Sequence, residues 1–320
     1  MNIPFRYTLL FAAFAAAVAI NANAAERHHH ALQQAEFIEP ESAGLPHLSA
    51  LSVLVLNQND GQPLYQKNID METPIASISK LMTAMVVLDA HLDMDEMLEI
   101  TQADVDTLRH SSSRLPVGTR LSRGEMLHLA LIASENRAAS ALARNYPGGK
   151  DSFIAAMNRK ARSLGMAHTS FEDSTGLSSN NQSTAADLAK MVQAAVRYPT
   201  IHEITTTGNY EISSTGRVKV RYKHKQNWRS VTRTVAFHNT NQLVRDDKWD
   251  IGLSKTGFIN EAGHCLVMQA KIAQTPVIIV LLDASGKYGR ISDAKRIKEW
   301  LEQRTASKVA AMRLDRISSN

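Results

Sequence analysis

Three short strings, far apart in the chain but in a fixed order, restrict the fold most: Ser77-Ile-Ser-Lys80, Ser134-Glu-Asn136 and Lys255-Thr-Gly257. If they act together, a fold must bring a helix start, a loop and a strand to one point. Each string is weak alone. Ser292-Asp-Ala-Lys295 also reads S-x-x-K, and S-x-N recurs at Ser178, Ser179 and Ser318. Order, spacing and local context separate the three from chance.

The surrounding pattern is compatible with such a convergence. Leu51 to Leu56 and Pro63 to Lys67, separated by Asp60-Gly61, read as two strands and a turn. A lone hairpin is marginal in water, so it needs partner strands. These are expected downstream at Asp250 to Lys255, Gly263 to Lys271 and Val277 to Asp283, so the sheet joins both ends of the chain. Between the ends lies a mostly helical stretch. Thr101-x-x-Asp104, Ser122-x-x-Glu125 and Thr184-x-x-Asp187 resemble capping boxes, and Gly165 closes a helix running from Asp151. Ile297, Trp300 and Leu301 give a closing helix over Ser292 to Gln303, with Ser292 as its N-cap and Lys295 solvated. The fold class is mixed α/β.

Residues 1–24 read as an export signal: Arg6, an uncharged apolar run from Tyr7 to Ile20, and Ala22-Asn-Ala24 as cleavage site. A spanning helix needs about 20 apolar residues, more than this run supplies, so no transmembrane anchor is expected in the mature chain. Residues 25–47 read as a flexible leader, 48–305 as the catalytic domain with a helical lobe over about 76–198, and 306–320 as a basic tail. The expected location is periplasmic. The single cysteine, Cys265, has no internal partner and sits in an apolar strand, so it reads as a core residue. The net charge of +5 falls to +4 once Arg6 leaves with the signal. Lys219 to Arg233 carries much of the excess; it reads as a solvated basic hairpin with at most weak peripheral association, not as a nucleic-acid site.

The three strings carry a coherent chemistry. Ser77 and Lys80 share a helix face, so Lys80 can take the proton of a Ser77 nucleophile once it is neutral. Desolvation and a neighbouring cation both push a lysine in that direction. Lys255 supplies the cation and draws in a substrate carboxylate, which Thr256 hydrogen-bonds, while Gly257 lets the substrate backbone come close. Ser134 can relay a proton to the leaving amine, and Asn136 can hold Lys80 and the substrate amide. No H-E-x-x-H or paired-cysteine spacing occurs, so neither metal nor cofactor is expected. Gly252-Leu-Ser-Lys-Thr256 lacks the second glycine of a nucleophile elbow.

The set S-x-x-K, S-x-N and K-T-G is the signature of penicillin-recognising serine acyl-transfer enzymes. Ala76 to Ala90, Ser134 to Ala139, Lys255 to Phe258 and Ala262 to Met268, with Phe237-His-Asn-Thr-Asn241, Gly176-Leu177 and Ser183-Thr-Ala185, resemble the bacterial D-alanyl-D-alanine endopeptidases over roughly Leu48 to Gln303. These are low-molecular-mass serine penicillin-binding proteins. The resemblance implies a serine β-lactamase/transpeptidase-like fold, in which an antiparallel sheet is flanked by helices and a helical lobe. It also implies cleavage of peptidoglycan cross-links, binding of β-lactams, Ser77 as nucleophile, Lys80 as base, and an oxyanion hole from the N–H groups of Ser77 and Phe258. D,D-carboxypeptidase activity uses the same strings. A β-lactamase is disfavoured because Phe171-Glu-Asp-Ser-Thr-Gly176 lacks the E-x-x-L-N pattern around its deacylating glutamate. A silent peptidoglycan-binding module would require a broken string, and none is broken.

Overall fold

The computed structural model describes residues 44–222 and 225–318. The expected export signal and most of the leader lie outside the described residues. In chain order the strands are β1 (Ser52–Asn57), β2 (Pro63–Lys67), β3 (Thr73–Pro74), β4 (Met97–Glu99), β5 (Arg120–Ser122), β6 (Gln182–Ser183), β7 (Asn209–Tyr222), β8 (Lys225–His238), β9 (Asp250–Ile259), β10 (Gly263–Ile272) and β11 (Thr275–Ala284). The helices are α1 (Ser79–Asp89), α2 (Arg123–Ile132), α3 (Asn136–Arg144), α4 (Gly149–Ser163), α5 (Ala185–Ala195), α6 (Pro199–Thr206) and α7 (Gly289–Ser318).

The main sheet has the order β2-β1-β11-β10-β9, all antiparallel, so the N-terminal hairpin pairs with the last strands as the sequence requires. Its central strands are apolar on both faces because both faces are covered. Along β10, Cys265 and Val267 pack toward the helices of the middle segment, while Leu266 and Met268 pack under α7 with Ile291, Ala294, Ile297 and Leu301. Asp293 ties the two ends together: its carboxylate accepts from Ser49 N and Oγ and from Ala50 N at 2.8–3.1 Å. The strand β9 is left at the sheet edge.

Helix α1 runs through the centre of the helical segment, and every residue from Ser79 to Val87 is buried. It is buried on every side, with Ser79, Lys80 and Thr83 as polar residues among apolar ones. Ser122 and Glu125 form the expected capping box of α2. Thr101 and Asp104 form one on a 3₁₀ turn over Gln102–Asp104. Thr184 caps α5 by accepting from Asp187 N, but the Asp187 carboxylate turns to Lys190, His168 N and Thr169 instead of closing a box. The closing helix starts earlier than expected. Gly289 begins it, so Ser292 lies inside the first turn and is not its N-cap; Ser292 N bonds to Tyr288 O at 2.9 Å. It also continues past residue 306 to Ser318. Of the basic segment, 219–222 and 225–233 fall within β7 and β8, whose register pairs Lys219 with Trp228.

Candidate active site

Ser77 lies on a 3₁₀ turn, Ala76–Ile78, that leads into α1. The turn is unusual: Ala76 has φ +49°, a conformation costly for a residue with a Cβ. Surrounding contacts over-determine it. Ser79 Oγ donates to Ala76 O at 2.8 Å, and Ile75 N donates to Asn181 O at 3.0 Å. Two glycines press against the same turn. A Cβ on Gly176 would fall 1.9 Å from Ala76 O and 2.7 Å from Ser77 N, and one on Gly257 would fall 2.8 Å from Ile75 O. The close approach that Gly257 serves is thus made by the chain itself, not only by a substrate.

Lys80 is fully buried one helical turn beyond Ser77. Its Nζ contacts Ser77 Oγ at 2.9 Å, Asn136 Oδ1 at 2.7 Å and Thr175 O at 2.6 Å. A neutral amine has two hydrogens and one lone pair, so it can donate to Asn136 and Thr175, which only accept, while accepting the Ser77 hydroxyl. Burial brings the Lys80 pKa down to about 7, against the pull of the Asp173 and Glu135 carboxylates, which favour the ammonium.

The second and third strings close the ring. Ser134 has φ +59° in the loop between α2 and α3, and Asn136 opens α3, where its Nδ2 donates to Ser111 Oγ at 3.0 Å. Lys255 on β9 donates to Ser134 Oγ at 3.0 Å and Thr256 O at 2.9 Å. Burial lowers the Lys255 pKa well below its usual value, and the charges of Lys80 and Arg290 lower it further. Lys255 forms no ion pair among the described residues, so an incoming carboxylate would supply the anion its ammonium lacks. Thr256 Oγ1 donates to Thr240 Oγ1 at 2.7 Å. Phe258 is 52% exposed at the cleft rim and stacks on His264, with centroids 4.4 Å apart.

Comparison with known proteins gives the family. A family profile described as D-alanyl-D-alanine carboxypeptidase matches residues 39–286. The chain belongs to the D-alanyl-D-alanine carboxypeptidase family. Within it, the chain is 47% identical over 277 residues to a D-alanyl-D-alanine endopeptidase of Pseudomonas aeruginosa, covering 85% of each chain. It is 44% identical over 261 residues to one of Escherichia coli, covering 82% of this chain and 80% of the relative. Among solved structures, the Streptomyces K15 DD-transpeptidase superposes with TM-score 0.70 at 28% identity, covering 80% of this chain and 97% of that one. Penicillin-binding protein D2 of Listeria monocytogenes, in its cefotaxime-bound form, gives 0.63 at 28% identity, covering 79% and 97%. The fold is therefore the penicillin-binding serine peptidase fold, and the protein is a serine D-Ala-D-Ala peptidase.

In this peptidase all eight sequence-predicted positions, Ser77, Lys80, Ser134, Asn136, Lys255, Thr256, Gly257 and Phe258, lie around one cleft. Sequence reading missed four neighbours. Thr175 contributes only its carbonyl, and Ser111 lies in a loop without periodicity. Glu135 was the unspecified middle residue of S-x-N. Arg290, at the start of α7, donates to Gly257 O at 2.7 Å. The available signal was the Thr175-Gly-Leu177 string beside Asp173. That carboxylate accepts from the N–H groups of Thr175, Gly176 and Ser178 at 2.5–2.6 Å, so it builds the loop that presents Thr175 O. Glu172 accepts from Ser178 Oγ and Asn180 Nδ2. Both carboxylates are engaged by their own loop. Cys265 is buried, with its thiol pushed up to about 12 mainly by desolvation, which suits a core residue.

Proposed function

We propose that the protein is an exported serine D,D-endopeptidase that hydrolyses D-alanyl-meso-diaminopimelate cross-links in peptidoglycan through an acyl-enzyme on Ser77. The three-way contact of buried Lys80 with Ser77, Asn136 and the Thr175 carbonyl carries this reading. Ser77 Oγ attacks the D-alanyl carbonyl as its proton passes to Lys80 Nζ. The oxyanion is held by the N–H groups of Ser77 and Phe258, donors fixed before the charge develops. As the C–N bond breaks, the proton that Lys80 took from Ser77 passes through Ser134, held by Lys255 at 3.0 Å, to the leaving amine, so Lys80 is neutral again. Lys255 and Thr256 hold the carboxylate beside that amine, and water then releases the acyl group with Lys80 again as base.

Endopeptidase is favoured over carboxypeptidase by kinship. The relatives at 47% and 44% identity carry the endopeptidase name, whereas relatives named carboxypeptidase are 26–32% identical. β-Lactams are expected as slowly released acylating ligands, because the only acidic groups in the 171–176 segment are engaged by their own loop. Residues 1–24 act as the export signal and place the enzyme in the periplasm. No helix among the described residues is long and apolar enough to cross a membrane. The leader over 25–47, a catalytic domain over 48–305 with its lobe at about 76–198, and a basic tail over 306–320 complete the proposed organisation. Digestion of purified sacculi tests the function. Cross-linked dimeric muropeptides are expected to disappear, whereas loss of terminal D-alanine alone would make the enzyme a carboxypeptidase.

A further inference from the structure

A chamber of about 770 Å³ is lined by Asn136 and Thr175, both of which contact Lys80, and by Arg109, Glu172 and Glu261. Its position relative to the reacting atoms follows from β9. Lys255 and Thr256 serve the leaving side and Phe258 the oxyanion, so the chain beyond Phe258, ending at Glu261, lies on the acyl side. Glu261 is three residues past Phe258. That is at most about 10 Å at about 3.3 Å per residue. A donor residue one step before the acyl D-alanine, about 3.5 Å away along an extended chain, can cover the remaining distance with a long side chain.

Most carboxylates of the chamber are already used. Asp104 pairs with Arg144, Asp106 accepts the N–H groups of Leu108, Arg109 and Ser111, and Glu172 and Asp173 serve their own loop. Arg109 and Glu261 differ. They stand on separate segments, the loop before Ser111 and the β9–β10 turn, and meet at the chamber wall at 2.9 Å with side chains 23% and 48% exposed. Arg109 is fixed at its base, where Nε donates to Leu177 O at 2.5 Å. An exposed pair of this kind is worth about 0–1 kcal/mol, so a ligand that offers one charge of each sign can replace it at little cost.

We propose that Arg109 and Glu261 form the donor-side specificity pair, parting to bind the carboxylate and the ammonium at the side-chain end of a zwitterionic diamino acid next to the acyl D-alanine. The inference rests on the endopeptidase reading and adds a substrate class to it. The donor stem is read through its second charged centre, and a lysine-type donor, with the ammonium but not the carboxylate, engages only Glu261.

The test uses two purified peptide dimers with the same acceptor, one with diaminopimelate and one with lysine in the donor, and kcat/KM normalised to active sites titrated with penicillin. The parent enzyme is expected to favour the diaminopimelate donor by about tenfold, the worth of one charge-assisted hydrogen-bond pair. Arg109→Ala should bring that ratio near one, chiefly through KM. Glu261→Gln should raise KM for both donors and keep the ratio. A parent ratio near one, or an Arg109→Ala ratio equal to the parent's, overturns the pairing. Cleavage of neither dimer by the parent overturns the endopeptidase reading itself, and the pairing with it.

Discussion

Lys80 and Lys255 are both buried lysines, yet their surroundings differ in kind. Lys80 has the Asp173 and Glu135 carboxylates near it, whereas Lys255 faces the charges of Lys80 and Arg290. The Lys80 charge lowers the Lys255 pKa, and a substrate carboxylate favours the Lys255 ammonium. Acylation by penicillin should rise with pH and reach half its maximum near 7, because only neutral Lys80 can accept the Ser77 proton. Lys80→Arg should lower the acylation rate by several orders of magnitude at neutral pH, since a guanidinium does not act as a base there. Lys255→Arg keeps the charge and should retain a measurable fraction of the rate; equal losses in stopped-flow acylation would show that the two roles are wrongly divided. Glu135→Gln removes an anion that favours the Lys80 ammonium, so the pH midpoint should move down. The Glu135 contacts, Ser113 Oγ and Arg114 N, can both be met by an amide oxygen or a reoriented hydroxyl, which leaves the fold in place. An unchanged or raised midpoint would contradict the electrostatic account.

The nucleophile turn depends on elements that pattern reading captures unevenly. Strands with apolar alternation or continuous apolar runs were legible: β2 spans the expected Pro63–Lys67, and β9 to β11 lie where β-branched runs end at turn residues. Helix starts marked by side-chain caps were legible too. The start of α7 was not, because Tyr288, which precedes Gly289, is not a capping residue type and Ser292 carries an unused signal. The 172–181 loop was opaque for a different reason: it acts through a backbone carbonyl and through Gly176, whose lack of a Cβ has meaning only once Ala76 stands against it. With φ +80° and Ala76 O 1.9 Å from a Cβ, Gly176→Ala should displace the loop or the nucleophile turn. We expect a stability loss of at least about 2 kcal/mol in urea unfolding and a large fall in acylation. A Gly176→Ala variant with parental stability and rate would show that the contact is dispensable.

At the scale of the molecule, the sheet brings together what the chain separates. Pairing β1 with β11 and leaving β9 at the edge sets Lys255 across from the loop of Ser134 and from the turn of Ser77. The sequence held the three strings but not their separations, and it offered a second S-x-x-K at Ser292 and a buried Ser254 beside Lys255 as competitors. Of these serines, Ser77 contacts a buried lysine amine at 2.9 Å, Ser292 lies within the first turn of α7, and Ser254 Oγ is buried without a hydrogen-bond partner. The decisive measurement is the site of covalent modification. After brief exposure to penicillin, mass spectrometry of the intact protein and of its peptides should show one adduct, on Ser77, absent from Ser77→Ala. An adduct on Ser254 or Ser292, or labelling that survives Ser77→Ala, would contradict the account.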